Sequence, residues 1–242
     1  MNIILAGYGK MGKEIDRLAS ERGITVLGRL EPDTAVDESD VQRTNVVIHF
    51  ASSESVLPHV QRWSAAGKNM VVGTTGWQND LEKVKAVVIE RKIGLVYASN
   101  FSIGVNIFFR LIKEASSLIN KFPEYDVAVH EAHHKDKVDS PSGTALTAAT
   151  ILLEHIQRKK AILSDPPKGK IKPEQLQVTS TRAGAIVGTH TVTFDSVADS
   201  IELKHTAKNR AGLALGALLA AEWINGKRGI FTMEDVLADI LR

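Results

Sequence analysis

No cysteine occurs among the 242 residues, which removes disulfides, thiolate metal sites and cysteine nucleophiles together. Charge of one sign is scarce as well. Thirty basic residues against 28 acidic ones leave a formal net charge of +2. So small an imbalance gives no reason to expect nucleic acid or a membrane as the main partner, despite a pI near 8.7. No apolar run approaches the length of a membrane span, and Met1-Asn2 leads into a short apolar stretch without a signal-peptide pattern. Internal repeats and low-complexity segments are missing too. A cytoplasmic location is the expectation. What remains is a globular composition, 43% hydrophobic and 24% charged, in a chain long enough for one large domain or two small ones.

The first hundred residues alternate in character. Apolar runs at 2–6, 24–30, 45–51, 70–73 and 94–98 read as strands. Between them lie amphipathic stretches that read as helices: one after Gly12, one over 54–66 interrupted near its start by Pro58, and one over 80–92. Gly23 and Gly67 stand where helix-ending glycines belong. Such alternation predicts βαβ units and a mostly parallel sheet. After Asn100 the pattern changes. A long helix is predicted over 103–120, a strand over 125–129 and a helix over 146–153. A basic, proline-bearing connector covers 159–174, and strands at 176–181, 188–194 and 200–205 follow in a meander. This indicates an α+β second domain. Helices over 212–223 and 232–241 end the chain, the last opening at the capping-box-like Thr232-Met233-Glu234-Asp235.

Two segments carry chemistry. Gly7-Tyr8-Gly9-Lys10-Met11-Gly12 lies between a predicted strand and a predicted helix, and Glu31 ends the second strand about twenty residues on, as a dinucleotide fingerprint requires. Gly7 permits a tight turn, Gly9 lets the backbone approach a pyrophosphate, and Gly12 lets helix and strand pack. Glu31 can accept hydrogen bonds from ribose hydroxyls. Gly73-Thr74-Thr75-Gly76 and Ala98-Ser99-Asn100-Phe101 fall at carboxyl ends of predicted parallel strands, where ligands of open α/β sheets bind. Pro32 and Asp33 after the acid offer no clamp for a 2′-phosphate, which favours NADH. Lys10 and Arg29 leave NADPH open.

The second segment is Glu131-Ala132-His133-His134-Lys135-Asp136-Lys137-Val138-Asp139-Ser140-Pro141-Ser142-Gly143-Thr144-Ala145. It delivers two imidazoles and a lysine from a strand end and then opens a helix. Ser140 is the expected N-cap and Pro141 the expected first helical residue. The amides of Gly143 and Thr144 would then offer an anion site. Asp136 and Asp139 flank Lys137, and as exposed loop acids they are read as solvated. His130 and His133 would point to opposite faces of a strand with no carboxylate spacing to complete a site, so no metal is expected. His190 and His205 are read as structural, and Trp63, Trp77 and Trp223 as packing residues. Arg210, just after the last meander strand, is read equally well as a substrate-carboxylate ligand or as a hinge or surface residue.

Together, Glu-Ala-His-His-x-x-Lys-Val-Asp-x-Pro-Ser-Gly-Thr-Ala, the glycine loop, Gly-Thr-Thr-Gly, Asn-Phe-Ser and Arg-Ala-Gly-x-Ile-Val-Gly-x-His at 182–190 resemble the 4-hydroxy-tetrahydrodipicolinate reductase family. The resemblance implies NAD(P)H-dependent reduction of a small cyclic imine with two carboxylates, with loss of water, in the diaminopimelate route to lysine. It implies an α/β fold: a Rossmann-type parallel-sheet domain from residues 1–102 and 210–242, and a central α+β domain, residues 103–209, with a mixed sheet that binds substrate and builds a homotetramer. The family's acid/base histidine falls on His133 and its catalytic lysine on Lys137. His134, Ser142, Gly143 and Thr144 fall on substrate-binding positions. Cofactor positions fall on Gly7 through Gly12, Glu31, Gly73, Thr74, Thr75, Ala98, Ser99, Asn100 and Phe101. The arginine that many members carry after the acid is Pro32 here. Two rival readings are another Rossmann oxidoreductase of small carboxylates and an NADH-sensing regulator without turnover.

Overall fold

The computed structural model describes residues 1–31, 36–167 and 169–241. Pro32 and Asp33, which bear on the cofactor, lie outside them. The alternating first part forms β1 (Asn2–Ala6), α1 (Lys10–Glu21), β2 (Thr25–Leu30), α2 (Glu38–Arg43), β3 (Val46–His49), α3 (Val56–Ala65), β4 (Asn69–Val72), α4 (Leu81–Arg91) and β5 (Gly94–Tyr97). Then follow α5 (Ile103–Ile119), β6 (Asp126–His133), α6 (Gly143–His155), β7 (Ala161–Leu163), β8 (Gln175–Arg182), β9 (Thr189–Asp195) and β10 (Ser200–Thr206). The chain closes with α7 (Ala211–Ile224), β11 (Gly229–Thr232) and α8 (Met233–Ile240). It divides into two units, Met1–Ile103 with Arg210–Arg242, and Gly104–Asn209.

In the first unit the strands pair in parallel in the order β11-β5-β4-β3-β1-β2. Alternate side chains of β1 serve two cores. Ile3 and Leu5 pack with α1, α7 and α8, whereas Ile4 and Ala6 pack with α3 and α4. Both faces are covered, which is why these strands read as unbroken apolar runs. The strand order reverses between β1 and β3, so the carboxyl ends of those two strands flank a switch-point crevice.

Some local expectations change. Pro58 does not interrupt its helix. It is the third residue of α3, behind a short 3₁₀ turn at Ser53–Ser55, and first-turn amides have no intrahelical acceptor to lose. Helix α2 and strand β11 were not anticipated. The first is six residues long and capped by Asp37, whose carboxylate accepts from the Ser39 amide at 2.8 Å. The second has only four residues and extends the sheet beside β5. The last helix does start with a capping box between Thr232 and Asp235.

The second unit holds a mixed sheet in the order β10-β9-β6-β8-β7, antiparallel from β10 to β6 and parallel from β6 to β7. Its core forms where Val127, Val129, Leu176, Val178, Val192 and Phe194 meet α5 and α6. Among the described residues, no helix is long and apolar enough to cross a membrane.

One buried base makes this fold sensitive to acid. His49, at the end of β3, is fully buried, faces the Thr74 hydroxyl at 2.8 Å and the Ser55 hydroxyl at 3.2 Å, and touches the His59 ring edge-on. Burial, reinforced by the neighbouring His59, pushes its pKa down from 6.5 to about 4. The unfolded chain therefore takes up a proton before the folded one does. The resulting stability is intact above pH 6.5 and is lost as pH falls toward 4, by up to about 3 kcal/mol. Thermal melts at pH 7.5 and 4.5 should differ less for His49→Gln than for the unaltered chain. Equal pH sensitivity in the two would contradict this role.

Candidate active site

Strand β6 does not stop at residue 129. It runs on to His133, and its inward side chains continue from Val127 and Val129 to Glu131 and His133. Register then fixes their neighbours. Glu131 stands opposite His190 on β9 and opposite Ser180 on β8, while His133 stands opposite Arg182. A row of polar groups thus crosses the end of an otherwise apolar sheet face.

The Glu131 carboxylate has no exposed surface. Its Oε1 accepts from the Ser142 amide at 2.9 Å, the Ser180 hydroxyl at 2.8 Å and the Arg182 guanidinium at 2.8 Å. Oε2 accepts from the Ser142 hydroxyl and lies 3.4 Å from His133 Nδ1 and 3.6 Å from His190 Nε2. Burial alone would push this carboxyl up. His190 close by, together with the hydrogen bonds from Ser142, Arg182 and Ser180, outweighs that and holds it well below the usual carboxylate range. His133 moves down from 6.5 to about 4, because burial, helped by the charges of His190, Lys137 and Arg182, outweighs the favourable Glu131. The two imidazole rings meet edge to face with centroids 5.0 Å apart. Of the residues read as structural, His190 therefore belongs to this site. Its presence was signalled by the 182–190 stretch, whose Arg182 and His190 both reach Glu131.

The loop after β6 carries the remaining residues. His134 is half-buried, and its carbonyl accepts from the Lys137 amide. Lys137 Nζ donates to the Asp139 carboxylate at 2.7 Å, so Asp139 is paired rather than merely solvated. The Lys137 ammonium outweighs burial, which would raise it, and holds the Asp139 carboxyl low. The N-cap of α6 is Ser142, whose hydroxyl accepts from the Ala145 amide, and not Ser140. Pro141 precedes the helix in a cis peptide bond instead of opening it. The local pattern permits either serine. Ser142 takes the position because Glu131 and His190 also hold its hydroxyl. Gly143 and Thr144 consequently occupy the first two helical positions, as the anion site requires.

In the first unit, the glycine loop is shaped by close approach. A Cβ on Gly7, which has φ +102°, would lie 2.3 Å from the Phe50 carbonyl oxygen, and one on Gly12 would lie 2.2 Å from that of Gly7. Gly9, by contrast, faces open space at the start of α1. The first-turn amides of Lys10, Met11 and Gly12 have no acceptor within the helix. A tight turn with one open glycine before a helix start fits a dinucleotide pyrophosphate. Tyr8 donates to Asp16 at 2.5 Å, and Asp16 grips Arg29 through both oxygens at 2.7 and 2.8 Å. Glu31 is exposed just beyond β2. Gly73 abuts the Phe50 ring, and Thr75 is exposed. The Thr74 hydroxyl faces inward to His49, and the Thr74 carbonyl accepts from the Trp77 indole at 2.7 Å. Ala98, Ser99 and Asn100 follow β5 at least partly exposed, whereas Phe101 is a core residue packed on Phe50.

Glu131, His133 and His190 bring three potential metal donors within 4.8 Å of one another, a grouping that the spacing of His130 and His133 did not suggest. The donor set fits a metal poorly. Four hydrogen bonds already occupy the carboxylate, and a guanidinium touches it. A dication would have to displace those donors and stand beside that positive charge.

Known proteins match both halves of this chain. A family model described as dihydrodipicolinate reductase, N-terminus, matches residues 1–101, and one described as dihydrodipicolinate reductase, C-terminus, matches residues 104–237. A 4-hydroxy-tetrahydrodipicolinate reductase of Christiangramia forsetii is 37% identical over 242 residues, covering 100% of each chain. Another, from Chromobacterium violaceum, is 39% identical over 198 residues, 80% of this chain and 73% of that one. A dipicolinate-bound dihydrodipicolinate reductase from Paenisporosarcina sp. TG-14 shares the fold, with a TM-score of 0.78 at 21% identity over 97% and 98% of the two chains. The chain belongs to the dihydrodipicolinate reductase family.

Proposed function

We propose that this chain is a 4-hydroxy-tetrahydrodipicolinate reductase: it reduces a small cyclic imine dicarboxylate at the expense of NAD(P)H, with loss of water, on the diaminopimelate route to lysine. The observation that carries the reading is the convergence of His133, Lys137 and the start of α6 around one polar row. In a chain 37% identical to a named reductase over its full length, that convergence matches the need of a dianionic, protonatable substrate.

Bound NAD(P)H supplies the hydride. The residues fitted to hold it are the loop from Gly7 to Gly12, Glu31, the Gly73-Thr74-Thr75 turn and the segment from Ala98 to Phe101. His133 moves the proton. Its ring is neutral at pH 7 in the free protein, and two substrate carboxylates nearby favour the imidazolium. Lys137, His134, Gly143 and Thr144 bind the carboxylates, and Ser142, whose amide and hydroxyl both donate to Glu131, caps the helix that presents the last two. The Asp139 carboxylate, which already meets Lys137, illustrates what an anion finds there. Lys137 also stabilises negative charge that develops on the ring.

NADH is the preferred nucleotide in this reading, because Asp16 holds Arg29 in a two-point ion pair. Asp16→Ala should release Arg29 and raise kcat/KM for NADPH relative to NADH by about tenfold, the worth of roughly 1.4 kcal/mol. An unchanged ratio would remove Arg29 from cofactor choice. We assign assembly to the outward face of the mixed sheet, where Ala128, His130, Ala132, Thr179 and Thr191 lie outside the helix-covered core. Light scattering should give a tetrameric mass, and a monomer would overturn this. A cytoplasmic location agrees with the lack of cysteine, and recovery in a membrane or extracellular fraction would contradict it.

The decisive assay follows nicotinamide absorbance with freshly generated 4-hydroxy-tetrahydrodipicolinate. Turnover confined to that substrate supports the reductase. NADH binding without absorbance loss would identify a sensor, and turnover only with amino or keto acids would identify a different oxidoreductase.

A further inference from the structure

Neither Glu131 nor the stretch from Arg182 to His190 has a part in the function proposed above, yet register brings both to His133. A carboxylate with no exposed surface is costly unless every lone pair is used. Here the Ser142, Ser180 and Arg182 donors use most of them, and the remaining capacity of Oε2 faces His133 Nδ1 at 3.4 Å. That Nδ1 is itself buried with no hydrogen-bond partner at ordinary distance. On the opposite side of the ring, a Cβ on Gly188 would lie 3.0 Å from Nε2. Any side chain at position 188 would press on that nitrogen.

We propose that Glu131 is a positioning residue: it keeps the His133 ring proton on Nδ1 and so leaves Nε2 to exchange a proton with the substrate, while Arg182, Ser180 and Ser142 keep the carboxylate ionised and aimed. This rests on the reading of His133 as the acid/base residue. Charged or titratable groups face the ring from each element around it: Glu131 on its own strand, His190 from β9, Arg182 from β8 and Lys137 from the following loop. Glu131 favours the imidazolium and the other three oppose it. The second motif thereby gains a purpose, since Arg182, Gly188 and His190 all contact this pair.

Glu131→Gln keeps the shape, but its amide NH₂ would donate to Nδ1 and move the ring proton to Nε2. At pH 7.5 its kcat should fall by about 100-fold or more, with binding of NADH and dipicolinate changed by less than about threefold. The limb of the kcat–pH profile that titrates His133 should move to lower pH by about one unit or more. Glu131→Asp retains the charge, so that limb should stay in place and at least about tenfold of the lost rate should return. A Glu131→Gln enzyme within about threefold of normal kcat, with an unmoved limb, overturns the positioning role. His133→Gln measured alongside separates the two ideas: an inactive His133 variant leaves the acid/base reading standing, and a fully active one removes it. Should Glu131→Gln fail to fold, nitrogen-15 NMR of histidine-labelled unaltered protein decides. A neutral His133 protonated on Nδ1 is expected, and one protonated on Nε2 overturns the proposal.

Discussion

His133→Gln should lower kcat by about two to four orders of magnitude while leaving nucleotide affinity nearly unchanged. Glutamine keeps a polar side chain of comparable length but cannot cycle between protonated and neutral forms near pH 7. The ring is half of a buried pair with Glu131, so its replacement leaves a carboxylate still held by Ser142, Ser180 and Arg182. The sheet should therefore survive the change, and the loss should reside in turnover. Steady-state kinetics with a separate NADH titration test this. Normal turnover would exclude His133 from proton transfer, and a parallel loss of NADH binding would mean that the substitution had damaged the fold.

An effect of similar size is expected at Gly12. Its Cβ would stand 2.2 Å from the Gly7 carbonyl oxygen, and neither group can yield without separating α1 from the loop that precedes it. Gly12→Val should displace the first-turn amides of α1 by about 1 Å, and misplacement on that scale costs about 100-fold in binding or rate. Calorimetric titration with NADH should show that loss, while circular dichroism of the sheet and helices stays close to normal. Tight NADH binding by Gly12→Val would place the nucleotide elsewhere.

The parallel sheet was legible because each of its early strands is a short apolar run bounded by glycine or polar turns. Both faces of that sheet are covered, so local hydrophobicity carried the whole signal. The end of β6 was not legible. Glu131 breaks the apolar alternation, and what allows a charge there is supplied by Ser180, Arg182 and His190, about fifty residues away in sequence. For the same reason His190 read as a structural histidine of a meander strand. The clue was positional: two polar residues eight apart in one short motif, each reaching the same carboxylate. The start of α6 failed on a different ground. Ser140 and Ser142 are equivalent by capping preference, and only the long-range bonds to Glu131 and His190 choose between them. The candidate residues His133, His134, Lys137, Gly143 and Thr144 were legible because one continuous stretch carries them, from the end of β6 to the first turn of α6, whereas the residues that hold Glu131 were not. Strand β11 escaped notice because four residues next to Lys227-Arg228 hold little periodicity.

The most direct test of the account follows an isotope rather than a rate. Enzyme is supplied with freshly generated 4-hydroxy-tetrahydrodipicolinate and NADH deuterated at one or the other face of the nicotinamide C4, and the tetrahydrodipicolinate formed is weighed by mass spectrometry. One deuterium should pass to the product from a single face and none from the other. Oxidised nucleotide beside a product free of deuterium from either face would contradict it.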